Sequence, residues 1–213
     1  MKRKIAVSIF TLGTLAAVRG GTLNVAITDT KGAPVADAVV YATSTSGGKS
    51  MAKRTGVIDQ MNQQFVPYVS AVQVGTAVTF PNHDNIRHHV YSFSPAKKFE
   101  LPLYAGVPAK PIVFDKEGIV TLGCNIHDWM LAYVVVLATP HFQVTQDDGH
   151  ARLKNLPPGS YRVEVWQPRM KGSPENSAQT IDLSADKEMT LNLDLKPDWR
   201  SKKGPSLNPE DYR

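Results

Sequence analysis

The sequence predicts an all-β chain built as β-sandwiches. Three observations carry this expectation. Apolar residues alternate with a period of two and scarcely ever with the period of a helix. Short apolar runs are separated by frequent turn signals. The 213 residues include 15 Gly and 15 Pro, which suits many short strands joined by turns. At 42% hydrophobic and 20% charged, the composition is that of a globular chain. Its length allows one large domain or two small ones.

Residues 1–20 have the pattern of a signal peptide. Lys2, Arg3 and Lys4 form a basic start, Ile5 to Val18 is an apolar run, and small residues follow. The run is short for a bilayer span, and an uncleaved N-terminal anchor is the alternative. Either way the body of the chain is expected to be exported, to the periplasm. These basic residues also account for the formal charge of +5. Without Lys2, Arg3, Lys4 and Arg19, 20 basic residues stand against 19 acidic ones, a net of +1. Such a balance gives no electrostatic case for nucleic acid.

Along the body, Thr22 to Asp29 alternates, with Leu23, Val25 and Ile27 on one face. Lys31-Gly32-Ala33-Pro34 reads as a turn, Val35 to Ala42 as a strand, and Thr43 to Lys49 as a Ser/Gly-rich linker. A second block holds strand candidates at Ala71–Val74, Ala77–Phe80, His89–Phe93, Ile112–Phe114, Gly118–Leu122 and Leu131–Leu137. A third block has turns at Asp147-Asp148-Gly149 and Leu156-Pro157-Pro158-Gly159. Strands are expected at Tyr161–Trp166 and around Met189–Leu195. Residues 197–213, rich in charge and Pro, are expected to be a loosely held tail.

Cys124 is the single cysteine, so no internal disulfide can form. An exported chain with one thiol can pair it with another chain, bury it, or bind a metal through it. Its neighbours favour the metal. Gly123-Cys124-Asn125-Ile126-His127-Asp128-Trp129-Met130 sets thiolate, imidazole and thioether at a C-x2-H-x2-M spacing between two strand candidates. Sulfur donors suit Cu(I) and imidazole tolerates Cu(II). Two His and a Cys in a plane with a weak axial Met form the blue-copper set. The second His is supplied upstream, in Asn82-His83-Asp84-Asn85-Ile86-Arg87-His88-His89-Val90.

At these residues the chain resembles the cupredoxin family of plastocyanin, pseudoazurin and amicyanin. Phe65-Val66-Pro67 followed by Val72 to Phe80 is similar to that family's early strands. His88-His89-Val90 resembles its His-Asn-Val motif, whose first residue is a ligand, and Cys124–Met130 has the amicyanin spacing. The resemblance implies a Greek-key β-sandwich cupredoxin domain over 56–138, with one copper per chain held by His88, Cys124, His127 and Met130. Two departures stand out. His89 replaces the Asn that ties the family's ligand loops together, which leaves His89 open as the alternative to His88. Gly123 stands where the family often has a bulkier residue. The flanks, 21–48 and 139–196, resemble the two halves of a carboxypeptidase regulatory-like (transthyretin-like) sandwich. The matching pieces are Gly32 to Ala38, Asp148-Gly149-His150-Ala151 and Leu156 to Tyr161. The copper domain would then be inserted into that sandwich.

Other residues have plainer readings. Met130 is either the axial donor or a core residue, and Trp129 either packs at the sandwich edge or lies on an apolar docking face beside His127. His83, His141 and His150 are expected at turns or in solvent, with His83 near enough to support the ligands. Arg87, Lys97 and Lys98 read as a solvated face, or as a charged rim for a redox partner protein. The expected function is outer-sphere electron transfer without a substrate. The alternatives are a copper carrier or sensor, and a structural β protein. An enzyme is not expected, because no nucleophile–base pair stands out.

Overall fold

A computed structural model describes residues 20–47, 54–108 and 110–198. The expected signal segment, the end of the Ser/Gly-rich linker and nearly all of the expected tail lie outside the described residues. The chain is all-β. The first strands are β1 (Gly21–Asp29), β2 (Val39–Ser44), β3 (Thr55–Val57), β4 (Asp59–Met61), β5 (Gln64–Val66) and β6 (Val69–Gln73). Next come β7 (Thr76–Thr79), β8 (His88–Ser92), β9 (Phe99–Tyr104), β10 (Ile112–Phe114), β11 (Gly118–Cys124) and β12 (His127–Leu137). The last are β13 (Phe142–Val144), β14 (His150–Leu156), β15 (Gly159–Trp166), β16 (Gln179–Leu183) and β17 (Lys187–Leu193). Among the described residues no helix is long and apolar enough to cross a membrane.

Most differences from the expected strands have local causes. The strand expected from Val35 begins only at Val39, because Pro34 and a left-handed Asp37 (φ 58°) interrupt extended pairing. β9 escapes the alternation rule because it lies at a sheet edge and carries Pro102, which edge strands tolerate. The four-residue hairpin turn between β4 and β5 rests on Asn62 and Gln63, both left-handed at φ 54° and 57°.

The strands form two cores. In the first, the sheet β14-β1-β17 and the sheet β13-β2-β15-β16 contribute to one apolar cluster. Leu23, Val25 and Ile27 of β1 share it with Val40, Val163, Val165, Leu191 and Leu193. In the second, the five-stranded sheet β6-β12-β11-β8-β9 and the sheet β10-β7-β3 surround Phe80, Phe114, Val120, Leu122, Cys124 and Met130.

β12 joins the two. Ala132, Val134 and Val136 belong to the second cluster, whereas Val135 and Leu137 belong to the first, with Tyr133 packed against it. Alternate side chains of a strand point to opposite faces, so both faces of β12 are covered. Tyr133 meets Trp166 at 5.4 Å and Tyr68 at 5.6 Å between ring centroids. The β11–β12 hairpin is therefore anchored on a strand whose residues 132–137 pack on both faces.

Gly149 shows how tightly the first core closes. Its φ is +72°, its carbonyl accepts from the amide of Ile27 at 2.8 Å, and a Cβ there would lie 2.6 Å from the carbonyl oxygen of Ile27. Gly149→Ala is expected to destabilise the protein by about 1–3 kcal/mol through strain and overpacking. Denaturant unfolding should show a lower midpoint at unchanged slope. Wild-type stability would mean that the turn relaxes without cost.

Candidate metal centre

Sequence reasoning expects Cys124–Met130 to be an inter-strand loop. The structure corrects this: strand pairing continues to Cys124 and resumes at His127, leaving only Asn125 and Ile126 in the turn. Cys124 pairs with His127, and the next pair is Gly123 with Leu131. Asp128, Trp129 and Met130 therefore bulge from β12 without partners on β11. The bulge turns Met130 into the core, 2% exposed, while Asp128 and Trp129 face outward.

His88 is the first residue of β8, where His88, Val90 and Ser92 are buried and His89 and Tyr91 lie on the other face. Two consecutive strand residues cannot face the same side, so only one of the two His can reach Cys124. His88 is that residue. Its Nδ1 lies 3.9 Å from Cys124 Sγ, and Nδ1 of His127 lies 3.7 Å from the same sulfur. One donor atom from each of the three residues falls within 4.8 Å of the others. The His88 and His127 rings are 5.0 Å apart. Met130 is buried in the apolar cluster that also holds Cys124. His89 turns to Glu100, with Nε2 at 3.0 Å from the carboxylate but off the hydrogen-bonding direction.

The loop that delivers His88 is braced by polar side chains. Asn82 is buried and donates from Nδ2 to the carbonyls of Ile86 and Tyr104, both at 2.9 Å. Its Oδ1 accepts from the amide of Asp84 at 3.0 Å. Tyr104 donates to the carbonyl of Phe80 at 2.6 Å, and burial pushes its phenol up to about 12.

Asp84 is the residue that sequence reasoning missed. Its Oδ2 lies 2.7 Å from Nε2 of His88, and its two oxygens accept from the amides of Asn62 and Gln63 at 2.6 and 2.8 Å. Burial works against ionisation of this carboxyl, yet the donated hydrogen bonds from Gln63, His88 and Asn62 hold it below the ordinary carboxylate value. Its signal in the sequence was only an acid one turn of chain before His88. His83, expected at a turn or in solvent with a supporting role as the alternative, is exposed and pairs with Asp59 at 2.7 Å.

His127 is half-buried. Burial, and then the neighbouring His88, lower its pKa from the ordinary imidazole value, which leaves a nitrogen lone pair available. Trp129 is exposed and its ring lies 5.2 Å from His127. Ile126 and Ile86 are exposed as well. Of the remaining candidates, Lys97 pairs with Asp115 at 2.9 Å, Arg87 and Lys98 are exposed, and His150 is exposed. His141 is half-buried and meets the Tyr161 ring at 6.0 Å.

No family model matches the chain, and no curated protein sequence matches it. Several solved structures resemble it in part. One is a copper-containing nitrite reductase from Thermus scotoductus, at 24% identity over 44% of this chain, with a TM-score of 0.38. This chain spans only 24% of that protein. A purple cupredoxin from Nitrosopumilus maritimus matches at 24% identity over 38% of this chain and 99% of its own, with a TM-score of 0.34. A reduced Cu(I) amicyanin variant matches at 24% identity over 46% of this chain and 99% of its own, with a TM-score of 0.35.

The structure also explains Gly123. It pairs with Tyr91 of β8, and the Tyr91 ring occupies the space that a side chain at position 123 would need. A Cβ there would lie 2.9 Å from the Tyr91 hydroxyl. Gly123→Ala is expected to cost about 1–3 kcal/mol by overpacking. That cost should shrink by at least about 0.5 kcal/mol when Tyr91 is also replaced by Ser, because contacting residues couple. A double-mutant cycle of unfolding free energies measures this. Additive effects would show that Tyr91 does not fill the site of the missing side chain.

Proposed function

We propose that this chain is a blue-copper (type 1) electron-transfer protein of the periplasm, holding one copper through His88, Cys124, His127 and Met130. One observation carries the reading. Two imidazole nitrogens lie 3.9 and 3.7 Å from a buried thiol, on two strands of one sheet. The donor chemistry fits copper, since the thiolate and thioether suit Cu(I) and the imidazoles tolerate Cu(II). Cys124, His88 and His127 would hold the ion, with Met130 as a weaker thioether donor. Bound copper supplies a one-electron couple.

The protein's own part is rigidity and access. His88 and Cys124 are fully enclosed by paired strands, so the donor set is held in place before any ion arrives. His127 alone among the donors reaches the surface, beside exposed Ile126 and Trp129. These apolar side chains offer a redox partner protein a contact near the site. No substrate is bound in this reading, and the protein is not an enzyme. The basic and apolar N-terminal segment supports export. The two apolar clusters support a copper domain over 56–138, inserted in a transthyretin-like sandwich of 21–48 and 139–196, with β12 serving both.

Two measurements test the reading. Copper-loaded protein should show an intense visible thiolate band, and Cys124→Ser should abolish it. A coloured Cys124→Ser protein would remove the assignment, and rapid copper loss to a weak chelator would point to carriage instead. Met130 is tested by electrochemistry. Met130→Gln should lower the reduction potential and Met130→Leu should raise it, with both proteins still coloured. If neither variant changes the potential, Met130 is a packing residue only.

A further inference from the structure

The half-buried carboxylate of Asp84 is not explained by the four proposed donors. It lies 2.7 Å from Nε2 of His88, a side chain with no exposure at all, while Asp84 itself is 12% exposed. An imidazole that donates its Nε2 proton to a carboxylate presents an unprotonated Nδ1 on the other side of the ring. That Nδ1 is the atom 3.9 Å from Cys124 Sγ. No lysine or arginine among the described residues pairs with Asp84, so its charge is answered by His88 and by two backbone amides. Those amides belong to Asn62 and Gln63, the left-handed pair at the β4–β5 turn. One carboxylate therefore fastens the ligand loop, the His88 ring and a separate hairpin.

We propose that Asp84 is a positioning residue that locks His88 in the Nε2–H tautomer and acts as a fixed negative charge one ring away from the donor atom. A carboxylate behind a ligating imidazole fixes the ring and makes it more basic. It also favours the more highly charged ion, so it stabilises Cu(II) over Cu(I). The second effect rests on the copper reading above. The tautomer does not, because it is a property of the metal-free protein.

The two effects are tested separately. Nitrogen NMR of metal-free wild-type protein at mildly alkaline pH should show His88 protonated on Nε2 and bare on Nδ1. An Nδ1–H tautomer would overturn the proposal without any variant being made. In copper-loaded protein, Asp84→Asn keeps the shape and removes the charge. The preference for Cu(II) over Cu(I) should fall about tenfold, which raises a one-electron potential by about 59 mV. Copper affinity should drop about 10-fold or more. Asp59→Asn, which removes the neighbouring acid that faces His83, should leave the potential unchanged. An Asp84→Asn potential no higher than wild type, or an equal rise in Asp59→Asn, would overturn the charge effect. A wild-type protein that binds no copper would overturn the copper reading instead, and the tautomer would still decide whether Asp84 holds His88.

Discussion

β12 is buried on both faces, and the two cores of the protein meet across it. Its even-numbered residues Ala132, Val134 and Val136 pack toward Phe80 and Phe114, and its odd-numbered residues Val135 and Leu137 pack toward Val40 and Val165. A strand in this position reads as a continuous apolar run, as Leu131 to Leu137 largely does. Each core restrains the strand from its own side, so neither can shift it without disturbing the other. Protein interiors are packed too densely to absorb such a shift smoothly. The hairpin that carries Cys124, His127 and Met130 inherits this restraint, because it is the end of the same strand.

The donor cluster follows from that anchoring by short steps. A two-residue turn brings His127 opposite Cys124, and a bulge then swings Met130 inward. β8 lies next to β11 in the sheet, and its alternation delivers His88 to the same side. Gly123 leaves room for Tyr91, so that β8 and β11 can lie together beside the cysteine. Polar brackets complete the enclosure. Asn82 satisfies a carbonyl of the loop before His88, and Asp84 satisfies two amides of the β4–β5 turn, groups that apolar residues would leave unpaired at a cost of roughly 1–3 kcal/mol each.

A buried thiol flanked by two imidazoles, all three carried on paired strands, has few ways to rearrange. The His127 ring is half-buried, and exposed Ile126 and Trp129 make the surface beside it apolar. The first core packs on the face of β12 opposite the one shared with the cluster of Cys124 and Met130.

The sequence by itself determined the all-β class, most of the longer strands and the Cys124, His127, Met130 spacing, because alternation and short-range spacing are local properties. It also named His88, but only through the likeness of His88-His89-Val90 to a family motif. It left His88 and His89 open, because alternation says that two neighbours face opposite sides without saying which side is the core. Pairing with β9 and β11 decided that, and it depends on residues far along the chain. The weak edge strands β9 and β16 were missed because an exposed strand buries too little to impose a pattern. Asp84 was illegible for the same kind of reason. Its partners are Asn62, Gln63 and His88, and only the tertiary structure brings a carboxylate from one loop against a turn from another hairpin and a ring in the core. Hydrogen bonds between segments distant in sequence leave no periodic trace, so they are set by the fold and read only from it.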